Sequence, residues 1–106
     1  MEQSIQVFLG VPKTSIQSVF TAQQQQRVIL KQIIFRNSLE VEAKVTVSIN
    51  TVDVMTVNVK GGSSEIRDTF IVLKPGDTLF LQQEKENAIN VTIGGIGEKV
   101  LVNEPY

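Results

Sequence analysis

Cysteine, histidine and tryptophan are absent from this 106-residue sequence, proline occurs 3 times, and aromatic residues make up only 6%. Without a thiol or an imidazole the chain can form no disulfide, Cys- or His-based zinc centre, thiol nucleophile or His proton shuttle. Charge of either sign is also sparse. Ten Lys and Arg against 11 Asp and Glu leave a net charge of −1, which gives no basic surface for a phosphate backbone, so nucleic acid is not an expected partner.

No apolar run approaches the roughly 20 residues that span a bilayer. The opening Met1-Glu2-Gln3-Ser4 has neither the basic region nor the apolar stretch of a signal peptide. The expectation is a soluble protein made in a reducing cytoplasm, with a single domain over residues 1–106.

What is present is lopsided. Fifteen Val and eleven Ile stand against seven Leu and three Ala. Branching at Cβ restricts side chains in a helix but suits a half-buried pleated surface, so an all-β chain is expected.

Residues 5–9 read as a short strand that stops at Gly10-Val11-Pro12-Lys13, and residues 15–21 as a second strand with Phe20 toward the core. The run Gln23-Gln24-Gln25-Gln26 is the one low-complexity segment and reads as a solvated loop. Residues 28–35 are nearly continuous in apolar side chains, the pattern of a central strand covered on both faces.

Residues 41–49 alternate most clearly, with Val41, Ala43, Val45, Val47 and Ile49 on one face and Glu42, Lys44, Thr46 and Ser48 on the other. Met55, Val57 and Val59 must align with that buried face. A two-residue loop at Asn50-Thr51 would oppose Thr56 and Asn58 to Val45 and Ala43, so a three- or five-residue loop is expected instead.

Gly61-Gly62-Ser63-Ser64 reads as a turn, followed by a strand over residues 65–73 whose second half should be well buried. Lys74-Pro75-Gly76-Asp77 has Pro and Gly where a type II turn needs them. Leu79, Phe80 and Leu81 form a strand, Ile89, Val91 and Ile93 another, and residues 99–102 a last short one. Seven or eight short strands without a helical period predict a single-domain antiparallel β-sandwich or jelly roll.

Carboxylates are the remaining candidates for catalysis, and a glycosidase needs two of them about 5–10 Å apart. Glu42, Asp77, Glu84 and Glu86 fall on a wet face, a turn and a loop tip, with no motif that pairs them, so no catalytic residue is expected. Asp77, Glu84 and Glu86 lack the dense acidic loop of a calcium site, and no metal or cofactor is expected. Asn90-Val91-Thr92 matches a glycosylation acceptor but lies within a strand. Gly61-Gly62 and Gly94-Gly95-Ile96-Gly97 lead into no helix and read as turn and bulge glycines rather than phosphate loops.

The polar tip from Gln82 to Asn87 is the expected contact surface, with Gln82, Gln83, Glu84 and Asn87 as the residues suited to a cell-wall glycan. Phe8 and Phe20 are assigned to the core, which leaves Tyr106 as an aromatic platform.

From Ser15 onward the order of elements resembles that of small β-rich virion proteins of tailed bacteriophages. The matching residues are Val19-Phe20-Thr21, the 28–35 strand closing on Arg36-Asn37-Ser38, the 41–49 strand with its hairpin, Leu73-Lys74-Pro75-Gly76-Asp77-Thr78-Leu79, and Ile89-Asn90-Val91-Thr92-Ile93. More narrowly, the chain is similar to small proteins encoded near the tail genes of Bacillus siphophages, with a likeness to a β-domain of lactococcal phage receptor-binding proteins.

The resemblance implies a non-enzymatic accessory protein, structural or adhesive, associated with the tail tip. Other tail or virion proteins, or a host cell-surface glycan, would be its partners. Localisation would be the virion tail after synthesis in the host cytoplasm. Alternatives are a stand-alone carbohydrate-binding module and an effector that binds a host protein in the cytoplasm. Self-association is expected because an open sandwich leaves strand edges to cover.

Overall fold

Alternating β-branched residues build eight strands: β1 (Glu2–Gly10), β2 (Gln17–Thr21), β3 (Gln26–Asn37), β4 (Ala43–Ile49), β5 (Val52–Val59), β6 (Ser64–Leu73), β7 (Thr78–Gln83) and β8 (Ile89–Lys99). They are seen in a computed structural model that describes residues 2–100. One sheet has the order β1-β8-β3-β6 and the other β2-β7-β4-β5. The first strand pairs with the last, the second with the seventh, the third with the sixth and the fourth with the fifth, all antiparallel.

A chain folded in half at β4–β5 and rolled so that successive pairs alternate between sheets is a jelly roll. The sandwich-or-jelly-roll expectation is thereby narrowed to the second. The core lies between the sheets. Val28, Leu30, Ile33 and Phe35 of β3 and Ile89, Val91 and Ile93 of β8 meet Val45 and Val47 of β4 and Leu79 and Leu81 of β7, all with no exposed surface. Burying each such side chain contributes about 1.5–3 kcal/mol before conformational entropy is charged against it.

β3 is central in its sheet, but it is covered on one face rather than two. Leu30 opposes Gly95 of β8 while Gln32 opposes Gly94, so Lys31 is an extra residue in a β-bulge. The bulge switches the inward parity: Val28 and Leu30 point into the core before it, Ile33 and Phe35 after it. Ile29 and Ile34 are half-buried on the outer face. Two out-of-phase alternations joined at Lys31 therefore read as one continuous apolar run.

The same device corrects the hairpin. Its loop has two residues, Asn50 and Thr51, and Ile49 pairs with Val52. Asn50 takes a φ of 58°. Ser48 then pairs with Asp53 but Val47 with Met55, so Val54 is the extra residue. Val57 and Val59 reach the core opposite Val45 and Ala43 as the apolar pattern demands. The register follows the sequence reading, and a bulge rather than an odd-numbered loop achieves it.

Other expectations need correction. Val41 precedes β4 and is 54% exposed, because the chain there still belongs to the β3–β4 loop. In the second half of β6 only Leu73 is fully buried; Phe70 and Val72 are exposed, since β6 is an edge strand with one face turned outward. Gly94, Gly95 and Gly97 do not end the strand begun at Ile89 but lie within β8. Lys99 closes β8, Val100 lies outside any strand, and the rest of the segment 99–102 lies outside the described residues.

The Lys74-Pro75-Gly76-Asp77 turn forms as read. Gly76 has a φ of 91°, and the Asp77 N–H donates to the Lys74 carbonyl over 2.9 Å.

Candidate functional site

The tip between β7 and β8 carries the four residues singled out from sequence, and the fold uses most of their polar groups itself. Gln83 is 1% exposed. Its amide Nε2 donates to the Pro12 carbonyl, and its Oε1 accepts from the Ile89 N–H over 2.9 Å. It is therefore no surface contact: it ends β7 on the inward parity and clamps the β1–β2 loop to the start of β8.

Gln82 points outward, yet its Nε2 donates to the Thr14 carbonyl over 2.9 Å, fastening the same loop from outside. Glu84 is exposed and pairs with Lys85 over 3.3 Å. Asn87, also exposed, takes a φ of 56° in the turn, a conformation Asn tolerates better than most residues. Thr14, Lys44, Thr46, Gln82 and Glu84 border a shallow cleft of about 320 Å³. Tyr106, the proposed aromatic platform, lies outside the described residues.

Four further carboxylates are engaged separately. Glu65 pairs with Arg67 over 2.6 Å, Glu98 with Arg27, and Asp53 accepts from Ser48 Oγ over 2.8 Å. Asp77 Oδ2 accepts the Lys74 N–H and Oδ1 the Asn50 amide, and these bonds hold its carboxyl below the ordinary value of 3.8. These contacts are those of a turn and of strand surfaces. Among the described residues no three acidic side chains gather to hold a metal ion.

A larger cleft, about 410 Å³, opens beside the glutamine run. Gln23, Gln24, Gln25 and Gln26 form its rim with Gln3 of β1, over a floor made by Ile5 and Gly97. Gln3 opposes Gly97 across the β1–β8 ladder, and Gln26 opposes Lys99 across the β3–β8 ladder. The cleft is thus the mouth of the sandwich where β1 and β3 begin and β8 ends. Sequence reading passed over this site by treating the glutamines as a solvated loop. The loop is there, but only the pairing of the first and last strands shows what it encloses.

The outer face of the β1-β8-β3-β6 sheet is apolar along two rows. Leu9, Thr92, Ile34 and Ile66 are cross-strand neighbours in sequence around the sheet, as are Ile96, Ile29 and Val72. Leu9 is 62% exposed, Ile66 57% and Phe70 69%. Lys31 Nζ sits 5.2 Å from the centre of the Phe70 ring, a cation–π contact on this face.

No protein-family model matches the chain, and no curated protein matches it in sequence. Among solved structures it is similar to a chain of the Bacillus endospore appendages, which form a family of disulfide-linked pili. The TM-score is 0.58 at 10% identity, over 95% of this chain and 88% of that one. It also matches a chain of the infectious bursal disease virus Gx strain at TM-score 0.47, 15% identity and 99% of this chain. An acetyl xylan esterase from the rumen bacterium Butyrivibrio proteoclasticus gives 0.45, 13% and 97%. The chain spans 31% and 35% of the length of these last two. The appendage likeness establishes a shared fold. This chain has no cysteine, so disulfide linkage is closed to it.

Proposed function

We propose that the chain is a non-enzymatic structural protein that works through its surface, and within that class an accessory protein of a phage virion. It would attach at the tail tip or contact the host surface. The observation that carries this reading is the row of exposed apolar side chains Ile66, Phe70 and Val72 along the edge strand β6, on the outer face of the β1-β8-β3-β6 sheet. Exposed apolar side chains gathered on one sheet face mark contact between macromolecules.

Two further points support it. Asp53, Asp77, Glu65, Glu84 and Glu98 are each held at a turn or a strand surface, and the fold is shared with a chain of the Bacillus endospore appendages, which are disulfide-linked pili. The strand order that resembles β-rich tail proteins supplies the phage part of the proposal. Tail or virion proteins are the proposed partners, and the four edge strands β1, β6, β2 and β5 offer routes to self-association.

Mass spectrometry of purified virions, together with the identity of the neighbouring genes, tests the reading. The chain should be found in particles and its gene beside tail genes. Absence from particles combined with no tail gene nearby overturns the virion assignment. Light scattering on the purified protein tests self-association separately.

A further inference from the structure

We propose that the glutamine-lined mouth of the jelly roll is a binding site for a neutral saccharide unit. A side-chain amide presents two donors and an acceptor in one plane, which matches neighbouring hydroxyls that each donate and accept. Five such amides, from Gln3, Gln23, Gln24, Gln25 and Gln26, surround one cleft. Among the described residues, the side-chain hydrogen bond within this group is that of Gln26 Oε1, which accepts the Gln23 N–H over 3.1 Å. Among the described residues the other rim amides make no side-chain hydrogen bond, in contrast to Gln82 and Gln83, whose amides hold the β1–β2 loop.

Charge argues for a neutral ligand. Glu98 pairs with Arg27, and Lys99 is the other charged residue bordering the cleft, so neither sign dominates. The volume of about 410 Å³ falls within the range of roughly 300–1,000 Å³ usual for small-molecule sites.

Gly97 lies beneath the cleft, and the fold does not require glycine there. A Cβ on Gly97 would meet Ile5 Cδ1 at 3.5 Å and Gln26 Nε2 at 3.6 Å, ordinary van der Waals contact. At Gly95, two residues earlier, a Cβ would run into the Ile29 carbonyl oxygen. Gly95 is demanded by packing, whereas at Gly97 one methyl group fits and a larger side chain must displace Ile5 and Gln26. Gly97 itself is buried beneath Ile5 and Gln26, so the half-buried Ile5 side chain is the apolar part of the floor offered to the C–H face of a sugar ring.

Gln25 adds a third sign. It holds a φ of 61°, a left-handed conformation that costs a residue other than Gly, Asn or Asp about 1 kcal/mol or more, and such strain collects at ligand sites.

This proposal deepens the host-contact part of the function above, and the two fail separately, because sugar binding is measured on the isolated full chain whatever its place in particles. Proton–nitrogen NMR titration with glucose, galactose, rhamnose and N-acetylglucosamine should give saturable shifts at Gln3, Gly97 and residues 23–26 with at least one sugar, with a dissociation constant in the millimolar range. Gly97→Val, which fills the floor and removes no amide, and the double substitution Gln3→Ala with Gln24→Ala, which removes amides and spares the floor, should each weaken binding about tenfold or more.

Gln82→Ala at the opposite cleft should leave the affinity unchanged. If Gly97→Val loses its folded spectrum, the glutamine pair still decides. No saturable shift at these residues up to about 100 mM of any of the four sugars overturns the proposal. So does a glutamine-rich peptide that shifts the same signals when the sugars do not.

Discussion

Asn50 Nδ2 donates to Asp77 Oδ1 over 3.2 Å, joining the β4–β5 turn to the β6–β7 turn across 27 residues of sequence. Asn50 Oδ1 in turn accepts the Thr78 N–H over 3.0 Å, and the Asn50 N–H donates to the Thr78 carbonyl over 2.8 Å. The two turns thus form one hydrogen-bonded end of the second sheet.

Acid should loosen this end first. Asp77 is a stronger acid when folded than its ordinary value of 3.8, because the Lys74 N–H and the Asn50 amide favour the carboxylate. The stability it contributes is present above that ordinary value and lost as pH falls through the lower folded one. The carboxyl is close to solvent, so the effect is small. Asp77→Asn should be less stable than the parent at pH 6 and converge with it toward pH 3 in urea denaturation. A difference that stays constant with pH would refute the assignment.

Removing the Gln83 amide should be costly. Gln83→Ala leaves the Ile89 N–H and the Pro12 carbonyl without their partner and opens a cavity, a loss of about 3 kcal/mol in equilibrium unfolding. Gln83→Leu refills the volume but not the hydrogen bonds and should recover less than half of that loss. Full recovery by Leu would show that packing alone matters at this position.

Two adjacent glycines should respond differently to the same methyl group. Gly94→Ala meets nothing within 4 Å and should change stability by no more than about 0.5 kcal/mol. Gly95→Ala forces β8 away from the Ile29 carbonyl and should cost about 3 kcal/mol or prevent folding. Equal effects in thermal unfolding would contradict the close approach of β3 and β8.

Deleting Val54 should be tolerated. It is the extra residue of the bulge, and without it Ile49–Val52, Ser48–Asp53 and Val47–Met55 become consecutive pairs of a regular hairpin. A loss of under about 2 kcal/mol with a native-like circular dichroism spectrum is expected. Deleting Asn58 instead turns Val59 outward if the bulge stays and Val57 outward if it is lost, and should cost far more than deleting Val54.

Some of the candidate site is written in local sequence. The run of four glutamines is visible, and so is the polar tip at Gln82, but a side-chain amide has the same sequence signature whether it faces water or the interior. Asn37 makes the point. It reads as a turn residue, yet it is fully buried, its Nδ2 donating to the Val41 and Val59 carbonyls over 2.8 Å each and its Oδ1 accepting the Leu39 N–H over 2.9 Å. Asn37→Asp would set a carboxylate against those two carbonyls, and that consequence is invisible until the strands are assembled.

By itself the sequence determined the all-β class, the Pro75-Gly76 turn and the buried faces of β4 and β8, because alternation along a strand and the φ preferences of turn residues are local properties. Tertiary structure decided what depends on neighbours. It chose the jelly roll over other sandwiches through the nested pairing of first with last strand. It set the bulges at Lys31 and Val54 that change parity partway along β3 and β5. It turned Gln83 inward and Phe70 outward, and it brought Gln3 to the glutamine run. A residue's face is fixed by its own strand only until a partner strand inserts or omits a residue, and that register is a property of the sheet.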